Sequence, residues 1–563
     1  MKAKVLLLKA IADEGVRYLF MVPGGLVDPF LTAFDEVPQI KPIIAAQEGG
    51  AAYMADGYAR ASRIFGACLG IGGPGATNMT TPILTAKSDY SPLLVVTGEV
   101  PTALEGLESF QDASIGALDD FDILKSATKL SLYVENANLF KHDLKKCMEA
   151  MKTYPQGPVH LCIPKDIQES QQDEGFPSLA REFLRQHILD EDQAKQGIDS
   201  MKGPLTAILA GEGVETSGAA ELLREVAETF SIPIVTTLRA KGILSERHPC
   251  SMGVFGYAGT RHATELLLGG KCDNLIVLGS GLNQRDTMFW NAKLMPKNVF
   301  LSVNINLTGF DYTYSHITPV EGDCMAFLRF FLDNYPHTGK EQRQRWMENV
   351  RASGPRLYDE ENCSSSAVPI HPARAIRELR HAAPDDTILL VDSGAHRAFC
   401  GHYWESLAPG QYLSATNLGP MGWAIPAAVG AQCAQPDKPV VCITGDGCML
   451  MHGMEIQTAA RYHLPIVYVI LNNAAYGNVY LRAAKEGETP AKLTSLPDHD
   501  WVRFAEALGC QAAAVHDPER LREAYTWALK QKGTVVLDVK CSKASPTPVE
   551  PFAESQKVWS FHD

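Results

Sequence analysis

The sequence predicts an α/β protein of three consecutive domains, each built on a mainly parallel sheet covered by helices. Three observations lead there. The chain has 563 residues, more than one hydrophobic core comfortably serves, so domains of roughly 150 to 200 residues are the natural subdivision. Short apolar runs return repeatedly between helix-like stretches, the rhythm of strands joined by crossover helices. Polar stretches break that rhythm twice, at KDIQESQQDEGFPS from Lys165 and at VRASGPRLYDEENCSSS from Val350. The expected units are residues 1–165, 190–340 and 365–550.

In order, the opening MKAKVLLLKAIADEGVRYLF reads as an amphipathic first helix, because Asp13, Glu14 and Arg17 interrupt its apolar run too soon for a leader peptide. PQIKPIIAAQ, FGACLGIGG, SPLLVVTGEV and GPVHLCIP are the strand candidates of the first unit. The second unit offers LTAILAGEGV, IPIVTTLRAKG and CDNLIVLGSG and is expected to end by Leu332. The third offers DTILLVDSG, KPVVCITGDG, IVYVILNN and TVVLDVK. The stretch between them is read as a boundary containing either a helix or an irregular linker. The three layers suggest duplication in shape, without the short period of a solenoid.

Composition narrows the partners. A formal charge of -14 over a chain that is 45% apolar and 21% charged disfavours nucleic acid or an anionic membrane as main partner, and leaves room for a local basic pocket that holds a small acid. No uncharged apolar run reaches the length of a membrane span. The 13 cysteines form no CxxC pairs, which fits a cytoplasmic protein with buried thiols better than a disulfide scaffold.

The strongest local signal spans Ile443 to Gly477. An apolar strand feeds Gly445-Asp446-Gly447, whose glycines permit a tight turn and bring backbone groups close to a bound anion. Asp446 is a hard oxygen ligand suited to magnesium, and Asn473, 27 residues on, adds a neutral carbonyl oxygen. A helix and a second strand fill that interval and return Asn473 to the same sheet edge, with the Ala475 carbonyl as a further ligand. Asp446-Gly447 followed at this distance by Leu471-Asn472-Asn473 resembles the diphosphate-binding signature of thiamine-diphosphate enzymes. That resemblance assigns magnesium to Asp446, Asn473 and the Ala475 backbone oxygen. It also assigns diphosphate contacts to Ser393, Gly394, Ala395 and His396, support of the bent cofactor to Met421, and a contact to the aminopyrimidine amino group to the Gly419 carbonyl.

Glu48 lies in IIAAQEGGAAYMADGYARA, between a strand and the following helix. A buried carboxylate there would have its pKa raised and would share a proton with the aminopyrimidine nitrogen. The first unit is similar to acetohydroxyacid synthase. The match runs through VPGG at Val22–Gly25, QEGGAAYMADGYARAS, GGPGATN at Gly72–Asn78, Phe110 and Gln111 in VVTGEVPTALEGLESFQD, and Lys129 in SATKL. By that resemblance Asn78 belongs to the loop beside the cofactor, while Phe110, Gln111 and Lys129 belong to the active cleft. In the middle unit, GVFGYAGTRHATELL and IVLGSGLNQRDT carry the same resemblance, and Arg285 matches an arginine that meets a 2-oxo acid carboxylate. A guanidinium suits that bidentate task. Arg261 and His262 are alternative contacts to a nucleotide-like ligand.

Two departures stand out. Asn304 and Asn306 replace the acidic pair that accompanies an adenine-bearing ligand, so FAD is not favoured. Asn478 and Arg482 replace a methionine and a tryptophan, which turns an apolar wall polar and cationic and shifts acceptor choice toward a more polar or anionic substrate. The resemblance implies thiamine diphosphate, Mg2+ and a small 2-oxo acid or carbonyl substrate, with decarboxylation followed by carboligation as the leading reaction. The alternatives are nonoxidative decarboxylation or another carbon–carbon lyase activity, oxidase or acyl-transfer chemistry, and a catalytically silent assembly protein. Because Glu48 and the Asp446 site occur in different units, the family arrangement pairs two chains head to tail. A homodimer is then the minimum and a homotetramer the larger assembly.

Overall fold

The computed structural model describes residues 1–173, 175–176, 188–306 and 314–559. The first sheet contains β1 (Tyr18–Met21), β2 (Lys41–Ile44), β3 (Gly66–Ile71), β4 (Leu93–Glu99), β5 (Leu130–Tyr133) and β6 (Val159–Pro164). The second contains β7 (Thr206–Ala210), β8 (Ile234–Thr236), β9 (Ser251–Val254), β10 (Asn274–Leu278), β11 (Val299–Asn304) and β12 (Ile317–Glu321). The third contains β13 (Ile388–Val391), β14 (Tyr412–Leu413), β15 (Val440–Gly445), β16 (Ile466–Asn472), β17 (Gln511–Val515) and β18 (Val535–Lys540). All pairings between these strands are parallel, and helices cover the sheets as expected.

The first and third sheets share one strand order, β2-β1-β3-β4-β6-β5 and β14-β13-β15-β16-β18-β17, whereas the middle one runs β12-β11-β10-β7-β8-β9. The resemblance in shape therefore joins the outer units more closely than all three. Each sheet has a point inside it where the strand order reverses, between β1 and β3, β7 and β10, and β13 and β15. The crevice beyond the carboxyl ends at such a switch point is where parallel sheets hold ligands.

The opening segment corrects its reading as a single helix. The helix stops at Asp13, Gly15 takes φ +93, and Tyr18–Met21 becomes β1. Nor is that helix strongly amphipathic, because Ala3 to Leu8 are all buried. The polar stretch from Lys165 begins as a helical turn, Lys165–Gln168, and buried Gln168 donates to the carbonyls of Leu26 and Ile163 at 2.9 and 2.8 Å. Part of the remainder lies outside the described residues. Between the second and third units, Lys340–Ala352 is a helix with Arg343, Trp346, Met347 and Val350 buried, so its polar composition hides a packed face. Seven strands had no reading in the sequence, among them β5, β12 and β17. These three are sheet-edge strands with incomplete burial, and their patterns lack the continuous apolar run of a central parallel strand.

One hydrophobic cluster runs through both outer units. Its centre is the crossing of helices Glu48–Ser62 and Ala424–Ala434. A Cβ on Gly57 would fall 2.1 Å from the Ala427 carbonyl oxygen, and one on Gly430 would fall 1.8 Å from that of Met54. All three units meet at buried Asp89. It pairs with Arg60 at 3.0 Å and Arg239 at 3.7 Å and accepts the Asn417 amide at 3.2 Å. Against the cost of burial, those guanidinium groups hold its carboxyl below the usual range.

All 13 cysteines are free, and all but Cys363 are buried. Among the described residues, no helix is long and apolar enough to cross a membrane.

Candidate active site

The switch point of the third sheet gathers the predicted diphosphate and metal residues into one cavity. β13 leads through Asp392 into Ser393-Gly394 and the helix Ala395–Tyr403, β15 leads into Asp446-Gly447, and β16 leads into Asn473 and Ala475. Ala395, His396, Met421, Asp446, Asn473 and Ala475 all line this cavity, as does Gly447. Gly419, at φ +65, sits two residues before Met421.

The oxygens converge. The Ala475 amide is 3.2 Å from Asp446 Oδ2 and 3.2 Å from Asn473 Oδ1, while Asp446 Oδ1 accepts the Gly447 amide at 2.9 Å. Burial pushes the Asp446 carboxyl up to about 6, an effect that a bound cation opposes. Among the described residues, no group of three or more His, Cys, Asp and Glu side chains forms a metal cluster. A cation here would depend on one carboxylate, one amide and backbone oxygen, with ligand oxygens completing the shell, which is the donor set magnesium takes beside a phosphate.

The cavity also fits an anion. His396 is buried, its Nε2 has no partner, and burial, reinforced by the charge of Arg397, lowers its pKa to about 3. The ring is therefore neutral near pH 7 and keeps one nitrogen free for a ligand. A Cβ on Gly445 would approach the His396 ring to 3.2 Å, and one on Gly447 would lie 2.9 Å from Tyr476 and 3.1 Å from Met421. Side chains at these two glycines would fill the cradle. The N-terminus of the Ala395–Tyr403 helix opens onto the same space, where backbone N–H groups favour negative charge. The residues present thus fit a magnesium-bound diphosphate.

Glu48 stands at the corresponding edge of the first sheet. It opens the helix Glu48–Ser62, capped by Gln47, and accepts Asn78 Nδ2 at 3.0 Å. It is half-buried and Asn78 is exposed. No residue from 1–165 lines the Asp446 cavity, so the two halves of the candidate site face different spaces within one chain.

Phe110 and Gln111 follow β4 and therefore share the Glu48 edge. Phe110 is 87% exposed. Lys129 precedes β5 and so occupies the opposite edge, with a strand of ~13 Å at about 3.3 Å per residue between. Its ammonium donates to the carbonyls of Thr153 and Pro155 at 2.6 and 2.8 Å. The structure does not bring Lys129 to Glu48.

Arg285 lies in the loop after β10 with its guanidinium 4.5 Å from the Tyr257 ring centre. Asn304 and Asn306 line a separate cavity at the middle switch point, together with Glu212, Arg239 and Asp286. Arg261 stacks on Tyr358 at 4.9 Å and His262 meets the Gly354 carbonyl at 3.0 Å, both internal contacts. Asn478 lines the Asp446 cavity, while Arg482 is exposed in the adjoining helix Gly477–Ala483.

Sequence reading missed two groups. Glu455, 1% exposed, reaches from the third unit to the turn before Glu48 and accepts the amides of Ala46 and Gln47 at 3.0 and 3.2 Å. Arg397 follows His396 and is buried, its guanidinium donates to Ser393 Oγ, and its charge acts on the buried Asp392 carboxyl. A glutamate and an arginine in these contexts carry no local cue to either placement.

Comparison with known proteins agrees with the three-part fold. Family models described as the N-terminal TPP binding domain, central domain and C-terminal TPP binding domain of thiamine pyrophosphate enzymes match residues 1–121, 192–331 and 392–539. A probable acetolactate synthase large subunit of Methanococcus aeolicus is 32% identical, over 97% of this chain and 93% of the relative. One of Methanocaldococcus jannaschii is 31% identical, over 98% and 94%. The acetolactate synthase isozyme 3 large subunit of Escherichia coli is 29% identical, over 93% and 92%. With three matching domains in order and relatives similar over nearly its whole length, the chain belongs to the thiamine pyrophosphate enzyme family and is acetolactate synthase-like.

Proposed function

We propose that the protein uses thiamine diphosphate and Mg2+ to decarboxylate a small 2-oxo acid and to join the remaining fragment to a second carbonyl compound, as its relatives' names suggest. The observation that carries this reading is the convergence of Asp446 and Asn473 oxygens beside a neutral His396 whose Nε2 has no partner. When bound, thiamine diphosphate supplies a nucleophilic carbon and a positive ring that accepts the electrons of the breaking carbon–carboxylate bond.

The chain's own residues would do the rest. Asp446, Asn473 and the Ala475 carbonyl would hold magnesium, while Ala395, Gly447 and His396 would meet the diphosphate. Met421 would support the bend of the cofactor, and the Gly419 carbonyl would fix its amino group. Glu48, oriented by Asn78, would hold and return a proton at the aminopyrimidine nitrogen. Because the Asp446 cavity has no lining from residues 1–165, that carboxylate would come from a second copy, making a homodimer the minimum and a homotetramer a natural extension. Phe110 and Gln111, on the exposed loop that shares the Glu48 edge, would enter the cleft in the same assembly. Arg285 would receive the substrate carboxylate. Lys129, tied to two carbonyls at the far edge, would act there only through its own chain's backbone.

The test is mass-resolved product analysis after incubation of the protein with thiamine diphosphate, magnesium and pyruvate, alone and with a second 2-oxo acid or an aldehyde. Acetolactate supports the reading. Acetaldehyde alone replaces ligation with simple decarboxylation.

A further inference from the structure

Two buried acids of the first unit have no part in the site described above. Glu99, the last residue of β4, is fully buried, and Asp120, which opens the helix Asp120–Ala127, is 2% exposed. One ring of contacts joins them. Glu99 Oε1 accepts the amides of Val100 and Ala113 at 2.8 and 3.2 Å, the Ala113 carbonyl accepts the Asp120 amide at 3.2 Å, and Asp120 Oδ2 accepts the Gly73 amide at 2.6 Å. The ring closes at Gly72, which donates to the Gly98 carbonyl at 2.7 Å. A Cβ on Gly72 would fall 2.6 Å from Glu99 Oε2, an oxygen with no hydrogen-bond partner, so the turn rests directly on the carboxyl.

That turn is the platform of Glu48. Gly73 takes φ +68 and leads into the short helix Pro74–Asn78. A Cβ on Gly75 would lie 3.6 Å from Glu48 Cγ, and one on Gly70 would lie 3.8 Å from it. The Glu48 side chain therefore lies against the backbone on both sides of Gly72-Gly73. Asn78, which ends the same helix, donates to Glu48 Oε2 at 3.0 Å. The segment that Glu99 closes through the Ala113 amide carries Phe110 and Gln111, so the ring ties that loop to the same platform.

We propose that Glu99 is a positioning residue, which together with Asp120 holds the Gly72-Gly73 turn and, through Gly75 and Asn78, fixes where the Glu48 carboxylate sits. This rests on the reading of Glu48 as the group that exchanges a proton with the cofactor. Proton exchange between held groups is sensitive to small displacements, and a shift of about 1 Å costs roughly 10² in rate. Glu99 touches neither Glu48 nor the Asp446 cavity, so it acts only through the turn.

The test uses the protein loaded with thiamine diphosphate and magnesium, and follows exchange of the thiazolium proton of the bound cofactor with deuterium by quenched-flow NMR, beside steady-state rates on pyruvate. Glu99→Ala should slow proton exchange and lower kcat by about tenfold or more, while KM and cofactor affinity stay within about threefold. Glu99→Gln, which accepts the same amides, should stay near the wild-type rate. Asp120→Ala should act in the same direction as Glu99→Ala and replaces it if that variant does not fold. In a Glu48→Gln background Glu99→Ala should add no further loss, because both act on one step. Wild-type exchange in folded Glu99→Ala, an equal loss in Glu99→Gln, a loss confined to KM, or additive losses with Glu48→Gln overturn the proposal. If the wild-type protein binds no thiamine diphosphate, the proposed function fails, and amide hydrogen exchange of the free protein decides the positioning role. Glu99→Ala should then speed exchange over residues 70–78 by about tenfold and leave residues 443–447 unchanged, whereas unchanged exchange over 70–78 removes the role.

Discussion

The buried carboxylate of Glu455 accepts the backbone amide of Gln47 at 3.2 Å across 408 positions of sequence. It also accepts the Ala46 amide and the hydroxyl of Thr458 at 2.8 Å. Gln47 caps the helix that Glu48 opens, so the third unit of a chain holds the approach to the Glu48 of that same chain. Gly50 makes this possible, because a Cβ there would fall 1.8 Å from Glu455 Oε1.

Gly50→Ala should therefore destabilise the protein by about 1–3 kcal/mol, the usual cost of overpacking a tight contact, and should lower turnover because Glu48 is two residues away. Chemical denaturation and steady-state rates on the same preparation check this. Unchanged values for both would mean that the Glu455 contact does not constrain the helix.

Glu48→Gln keeps a hydrogen-bond partner for Asn78 but cannot exchange a proton. Turnover is expected to fall by roughly 10² or more, while thiamine diphosphate affinity stays within a few-fold. Mixing Glu48→Gln with Asp446→Ala subunits, each inactive alone, should recover about a quarter of the wild-type rate if active sites form between two chains. No recovery after verified subunit exchange would place both residues in one chain's site.

Asp446→Ala and Asn473→Ala each remove one of the converging oxygens. Magnesium with thiamine diphosphate at about 100 times its Kd should stabilise the wild-type protein by ~2.7 kcal/mol. Both variants should lose most of that gain in thermal unfolding. Full retention by Asp446→Ala would exclude the proposed metal position.

Glu99 gives a pH dependence with a definite sign. Its side chain is fully buried, one carboxylate oxygen has no partner, and burial raises its pKa from 4.5 to about 7. Between those values the unfolded chain releases a proton that the folded chain keeps, so this group lowers stability as pH rises through that window, by on the order of 3 kcal/mol at most. Glu99→Gln should stabilise the protein at pH 8 relative to wild type and change little at pH 4. Denaturation midpoints at the two pH values decide, and an equal effect at both would rule out the titration.

The Asp446–Asn473 segment was legible in the sequence because its chemistry is local. An apolar central strand ends in small residues that must turn, and the next strand returns to the same edge after one helix. Ala395, His396 and Met421 were legible only through the family resemblance of their own stretches, and the structure brings them into one cavity with that segment. Lys129 was read from the same kind of resemblance. Its motif lies close in sequence to Phe110 and Gln111, yet the chain crosses the whole sheet before reaching β5. Glu455 was invisible for a different reason, since its contacts to Ala46 and Gln47 join elements far apart in sequence.

What the sequence by itself determined was the three-layer α/β plan and the glycine turns at strand ends with the oxygen-bearing side chains that follow them, all of which depend on backbone conformation within short windows. Only the tertiary structure decided that the outer units share one core, that Glu455 reaches Gln47, and that Glu48 does not line the Asp446 cavity of its own chain. Burial and long-range hydrogen bonds exist only once the helices have crossed at Gly57 and Gly430, so no local pattern of residues encodes them.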